Sequence, residues 1–166
     1  MKNIKKLTII GLLTALSMIL SYIEALIPPF IAVPGVKIGL ANLIIVFALY
    51  KLDARSALLI SLLRVFLSSL LFGNLLTLWY SLAGAVFSLL LMIIFKRLKF
   101  FSETGVSIIG GVSHNAAQIA VAGFLMETVQ IIYYLPALII VGCVTGAVIG
   151  IGGALLIRKI DLKERF

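Results

Sequence analysis

Apolar residues fill this chain in six long stretches, each closed by a short junction of charged residues, glycine or proline. The stretches cover about residues 7–27, 38–50, 54–72, 77–95, 105–126 and 131–157. Roughly 20 apolar residues cross the hydrocarbon core of a bilayer as a helix. The pattern therefore predicts an all-α chain, a polytopic membrane protein built as a single six-transmembrane-helix bundle over residues 1–166. The second stretch is short; it starts at Ile38, or at Phe30 with a break at Pro34-Gly35.

That break belongs to the least regular part of the chain, Pro28 to Asn42. Three of the four prolines stand there, and proline removes a backbone donor and blocks a continuous helix. We read the stretch as a loop folded over a site, with Lys37 and Asn42 at its mouth. The charges set the orientation. Twelve of the fourteen Lys and Arg residues fall at the amino end, after spans two and four, and in the tail. The positive side of a membrane protein faces the cytoplasm, so both termini are expected inside and the Pro-rich loop outside.

Composition supports lipid as the solvent. The chain is 63% hydrophobic and 12% charged, against about 25% charged in soluble domains. Its mean hydropathy is +1.25. The net charge of +8 does not point to nucleic acid, because the charges sit in short junctions rather than a patch. The amino end starts like a signal peptide, but its apolar run is too long and lacks a cleavage site, so it is kept as a span. Cys143 is alone and is expected to pack among small residues.

Arg64 lies ten residues into span three, near mid-membrane at about 1.5 Å per residue. A charge there costs about 2.5–3.5 kcal/mol and is expected to face the bundle or a wet cavity. Ser61 and Ser68 share its face. Span five carries Ser107, Gly111, His114, Asn115, Gln118 and Ala122 as one polar, small-residue stripe. Such groups bond a ligand or join two helices. Glu24 and Glu127 read as rim residues. Span six repeats glycine at 142, 146 and 150, a close-packing face. No second His or Cys accompanies His114 at metal-ligand spacing. No Asp-rich pair suits Mg²⁺ and diphosphate, and no Walker-type loop is present. Neither a catalytic residue, a metal nor a cofactor is expected, and the chain reads as no enzyme.

The runs Pro34-Gly35-Val36-Lys37-Ile38-Gly39-Leu40-Ala41-Asn42, Leu62-Leu63-Arg64, Leu71-Phe72-Gly73-Asn74, Ser81-Leu82-Ala83-Gly84, Ser113-His114-Asn115-Ala116-Ala117-Gln118 and Tyr133-Tyr134-Leu135-Pro136 resemble the Gx transporter family, also labelled heptaprenyl diphosphate synthase component I. That family is similar to the substrate-binding S components of energy-coupling factor (ECF) transporters. The resemblance implies the six-helix S-component fold in a bacterial cell membrane. It implies docking through Gly11 and Ala15 on a transmembrane coupling subunit served by separate ATPases. It makes Pro28 to Lys37 a lid, with Lys37, Asn42, Asn74, Asn115 and Gln118 as candidate substrate-binding residues beside Arg64 and His114. The expected function is capture of a small vitamin- or precursor-like molecule outside and its delivery inward. Lys37, Arg64 and His114 favour an anionic or polar-ringed ligand. The alternatives are a non-catalytic membrane accessory subunit of a heptaprenyl diphosphate synthase in quinone biosynthesis, and a secondary transporter using His114 and Arg64 as a proton relay.

Overall fold

A computed structural model describes residues 2–27, 39–127 and 129–160. The expected lid, Lys37 and the charged tail beyond Ile160 lie outside the described residues. The described chain is all-helical: α1 Lys2–Leu26, α2 Asn42–Lys51, α3 Ala54–Phe72, α4 Leu75–Arg97, α5 Glu103–Leu125 and α6 Leu135–Lys159, with a 3-10 turn at Val129–Tyr134 leading into α6. Five of these helical segments are long and apolar enough to cross a membrane, and the molecule is a multi-pass membrane protein. The sixth is not. With 10 residues, α2 measures about 15 Å, half of the ~30 Å hydrocarbon core. Among the described residues, the expected six spans are therefore five spans and a half-length helix.

The junctions act as helix caps. Asp53 accepts from the Ser56 amide at 2.8 Å and Asn74 from the Thr77 amide at 2.8 Å. Each satisfies a donor that the first turn of α3 or α4 would leave unpaired. Charges then fasten the basic end. Lys6 pairs with Asp53 at 2.6 Å, tying α1 to the start of α3. Lys96 donates to the Leu49 carbonyl at 2.5 Å and sits 4.7 Å from the Tyr50 ring centroid. A cation from α4 thus closes the carbonyl end of α2, where the helix dipole is negative. At the opposite end Tyr22 meets Phe72, with ring centroids 5.7 Å apart, so α1 and α3 run in the same direction.

The half-length helix is the centre of the bundle. Ile44 to Leu49 are buried without interruption, because α1, α3 and α6 surround them. Leu89 and Met92 of α4 and Val106 of α5 complete this core. Such all-round burial explains why α2 has no polar face.

Around it, α5 lies between α4 and α6, and α3 links α1 to α4. The α5–α6 contact depends on glycine. A Cβ at Gly142 would stand 3.0 Å from Val112 Cα, one at Gly146 2.7 Å from Ile108 Cα, and one at Gly150 2.7 Å from Thr104 Cα. The glycine repeat of α6 therefore joins two helices inside the bundle. One sequence expectation changes here. Cys143, on the other side of α6, is exposed rather than packed. On α1, Ser17 and Ser21 are buried, while Gly11 and Ala15 are exposed.

Candidate functional site

Gly39 starts the path into α2. Its φ of +80° is a left-handed conformation that glycine takes without a steric penalty. That turn lets the chain enter a helix part way through the bundle. A Cβ on Gly39 would lie 3.4 Å from Ile149 Cδ1, and Ile149 is the fifteenth residue of α6. The next amides close tightly: Asn42 donates to the Gly39 carbonyl at 2.8 Å, and Ile44 to that of Ala41 at 3.2 Å. The amino end of α2, with its positive dipole, is thus held inside the protein.

Glu24 accepts the Gly39 amide hydrogen through Oε1. It is 6% exposed, so it is no rim residue, as the sequence had suggested. It is a buried carboxylate of α1 that anchors the start of α2. Its charge also acts on Arg64, the eleventh residue of α3. Arg64 is partly buried, and its Nε has no hydrogen-bond partner among the described residues. Ser68 donates to the Arg64 main-chain carbonyl at 2.5 Å; Ser61 is buried on the same face. Ser21, one turn before Glu24, is buried with an unpartnered Oγ. α1 therefore brings Glu24 to the residues that lead into α2, and the charge of Glu24 reaches Arg64 of α3.

The α5 residues belong to a different sector. The expected single stripe is divided between two neighbours. Asn115 donates to the Leu138 carbonyl of α6 at 2.9 Å, which joins those helices. His114 and Gln118 face α4 instead: a Cβ on Gly84 would stand 2.8 Å from Gln118 Cγ and 3.0 Å from His114 Cε1. Ser88 of α4 adds a bond to the Gly110 carbonyl at 2.9 Å. Gly111, also on the stripe, meets Gly142. Asn74 is exposed and is committed to capping α4, accepting from the Thr77 amide and hydroxyl at 2.8 and 2.7 Å. The structure thus sets Asn42 at the start of α2, Arg64 within α3 and Asn115, His114 and Gln118 along α5, and leaves Asn74 at a helix terminus. Lys37 lies outside the described residues. Glu24 and Ser21 were missed as site residues. The spacing of Ser17, Ser21 and Glu24, four and then three residues apart, was the available signal.

Gly11 and Ala15 also have a distinct setting. Nothing stands within 4 Å of a Cβ placed on Gly11, whereas Gly142, Gly146 and Gly150 of α6 press on backbone. The face around them carries Leu7, Leu12, Leu16 and Ile19, all exposed. Among the described residues, no three His, Cys, Asp or Glu side chains gather as a metal site.

A family model described as heptaprenyl diphosphate synthase component I matches residues 13–156. Among curated proteins and solved structures, none matches the chain.

Proposed function

We propose that this chain, which belongs to the heptaprenyl diphosphate synthase component I family, is a membrane-embedded binding protein of the S-component kind. It captures a small molecule from outside and delivers it inward with a coupling subunit and ATPases. The observation that carries this reading is the amino end of α2, where a half-length helix begins inside the bundle behind Gly39, whose amide hydrogen the buried Glu24 accepts. Interrupted helices in transporters present their ends to substrates in this way. Twelve of fourteen basic residues fall in the sequence at the amino end, after spans two and four, and in the tail, which supports a cytoplasmic position for both termini and outward access to the site. Arg64 and Asn42 would hold the substrate at the end of α2, with Lys37 reaching it from the Pro-rich segment. His114, Asn115 and Gln118 would act in a separate polar sector of α5, between α4 and α6, and Asn74 would stand near the mouth.

Gly11 and Ala15 would form the docking face. The open space over Gly11 and the apolar residues beside it suit a second membrane helix approaching closely. Replacing both by leucine tests this. Expression with a coupling subunit and its two ATPases should yield a co-purifying complex for the native chain and none for the double variant. Ligand retained by the purified chain, read by mass spectrometry, should be unchanged. A complex that survives the double substitution would refute the docking face.

The family's own description favours a second reading, a non-catalytic accessory subunit of a heptaprenyl diphosphate synthase. Co-purification with the soluble synthase chain, rather than with a coupling subunit, would select it.

A further inference from the structure

The geometry points to a binding site for anionic phospholipid: the turn between α4 and α5 inserts Phe100 at the lipid–water boundary and sets Arg97 and Lys99 on lipid phosphates. The face that leads there is apolar and uncovered. Phe87, Leu90 and Ile94 of α4 are exposed, and on a membrane-spanning helix lipid tails are the solvent for such a row. Arg97 follows Leu90 by seven residues and Ile94 by three, so it continues the same face. Leu75 to Arg97 is 23 residues, about 34 Å at 1.5 Å each. The hydrocarbon core is ~30 Å thick. Arg97 therefore ends the apolar row at headgroup level. There its stem stays in the apolar layer and its guanidinium reaches phosphate.

The turn itself is built. Lys99 has a φ of 54°, a left-handed conformation that costs a residue with a side chain. Its amide donates to the Lys96 carbonyl at 3.3 Å. Beyond it Phe101 folds back on Phe95, with ring centroids 5.3 Å apart. Phe101 also covers Gly105, where an added Cβ would stand 3.2 Å from its ring. Ser102 caps α5 by accepting from the Gly105 amide at 3.3 Å. Phe100 meets the Phe101 ring edge-on at 5.4 Å and is still 85% exposed. An anchored turn with a strained residue thus holds an apolar ring outward, and strain of this kind marks a place with a use. At the depth of Arg97, the ring gains by entering the headgroup boundary. Charge selects the lipid. Residues 96–103 carry three positive charges and one negative. Lys96 is committed to the Leu49 carbonyl and the Tyr50 ring. Glu103 stands in the first turn of α5, where the helix dipole is positive. Arg97 and Lys99, both exposed, are the cations that flank Phe100. Each basic residue at an anionic surface favours it by about fivefold, and a zwitterionic headgroup offers no such gain.

This site needs only the membrane-spanning fold and is independent of the capture reading. Trp79 is the chain's single tryptophan, so Trp79→Phe with Phe100→Trp moves the fluorophore to the turn. Both positions are largely exposed, and neither exchange touches the core. The full chain is placed in nanodiscs of mixed phosphatidylcholine and phosphatidylglycerol. Bromine, a contact quencher, is carried either by the phosphatidylglycerol or by an equal amount of the phosphatidylcholine. Brominated phosphatidylglycerol should quench at least about fivefold more strongly. Salt at 1 M, where screening acts within about 3 Å, should narrow the ratio. Adding Arg97→Gln and Lys99→Gln should bring it to one while leaving the turn in contact with lipid. Quenching by neither lipid would overturn the insertion of the turn, and equal quenching by both would overturn the selectivity. A preference that survives the double charge change would overturn the roles of Arg97 and Lys99. A turn tryptophan open to aqueous acrylamide in nanodiscs, and shielded only when a coupling subunit is added, would assign the turn to a protein partner and overturn the lipid site. The lipid and salt comparisons stand even if the double charge variant fails to fold.

Discussion

Gly146→Ala is the sharpest perturbation of the α5–α6 contact. The added methyl would stand 2.7 Å from Ile108 Cα, 3.0 Å from the Ser107 carbonyl oxygen and 3.2 Å from the Ile108 amide nitrogen. All three neighbours are backbone atoms, so no side-chain rotation relieves them. Ordinary carbon contacts begin near about 3.5 Å, which requires the helices to part by roughly 0.8 Å. The shift also loosens Gly142 on Val112 and Gly150 on Thr104, since one rigid helix carries all three glycines. Overpacking of this kind costs about 1–3 kcal/mol. Reversible unfolding in mixed micelles with increasing SDS measures it. Gly11→Ala is the matched control: nothing lies within 4 Å of its methyl, and its effect should stay within about 0.5 kcal/mol. Gly142→Ala combined with Gly146→Ala should cost less than the sum of the two, because the first displacement makes room for the second. Equal stability of Gly146→Ala and Gly11→Ala would refute the reasoning.

Asn74→Ala should destabilise the protein by about 1 kcal/mol through the lost cap of α4, read in the same unfolding assay. Asn115→Ala removes the bond to Leu138 and should cost about 0.6 kcal/mol, the average for polar contacts between membrane helices. Asp53 is raised by partial burial, but the Lys6 and Ser56 hydrogen bonds outweigh this and hold it at about 2, below its ordinary 3.8. A lowered carboxylate stabilises the fold above its unfolded value, and that stability is lost as pH falls from about 4 through about 2. The pair is exposed, so the loss should stay under about 1 kcal/mol. Asp53→Asn should flatten the dependence over that pH window, in unfolding curves recorded at each pH.

The long helices were legible because their ends are chemically marked. Span three was read as 54–72, and α3 is Ala54–Phe72, since Asp53 caps one end and Gly73-Asn74 stops the other. The start of α2 was obscure. Residues 38–41 are apolar enough to continue a helix, and only the left-handed Gly39 prevents it. Arg64 was recognisable as a misplaced charge, but its electrostatic partner was not. Glu24 stands near the end of its own helix, and linear position suggested a rim. Its burial comes from α2 and α3, which approach it from elsewhere in the chain. The α5 stripe was legible as polar, but helical periodicity cannot say that two neighbours divide it.

The central position of α2 has a consequence for biosynthesis. A ten-residue helix is too short to settle in lipid unaided as the ribosome releases it. Its Leu43 and Val46 rest on Gly152 and Gly153, which are translated about a hundred residues after it. The middle of this protein therefore stays unfinished until α6 arrives. A chain interrupted before that helix would be left with its core exposed to the quality-control proteases of the membrane.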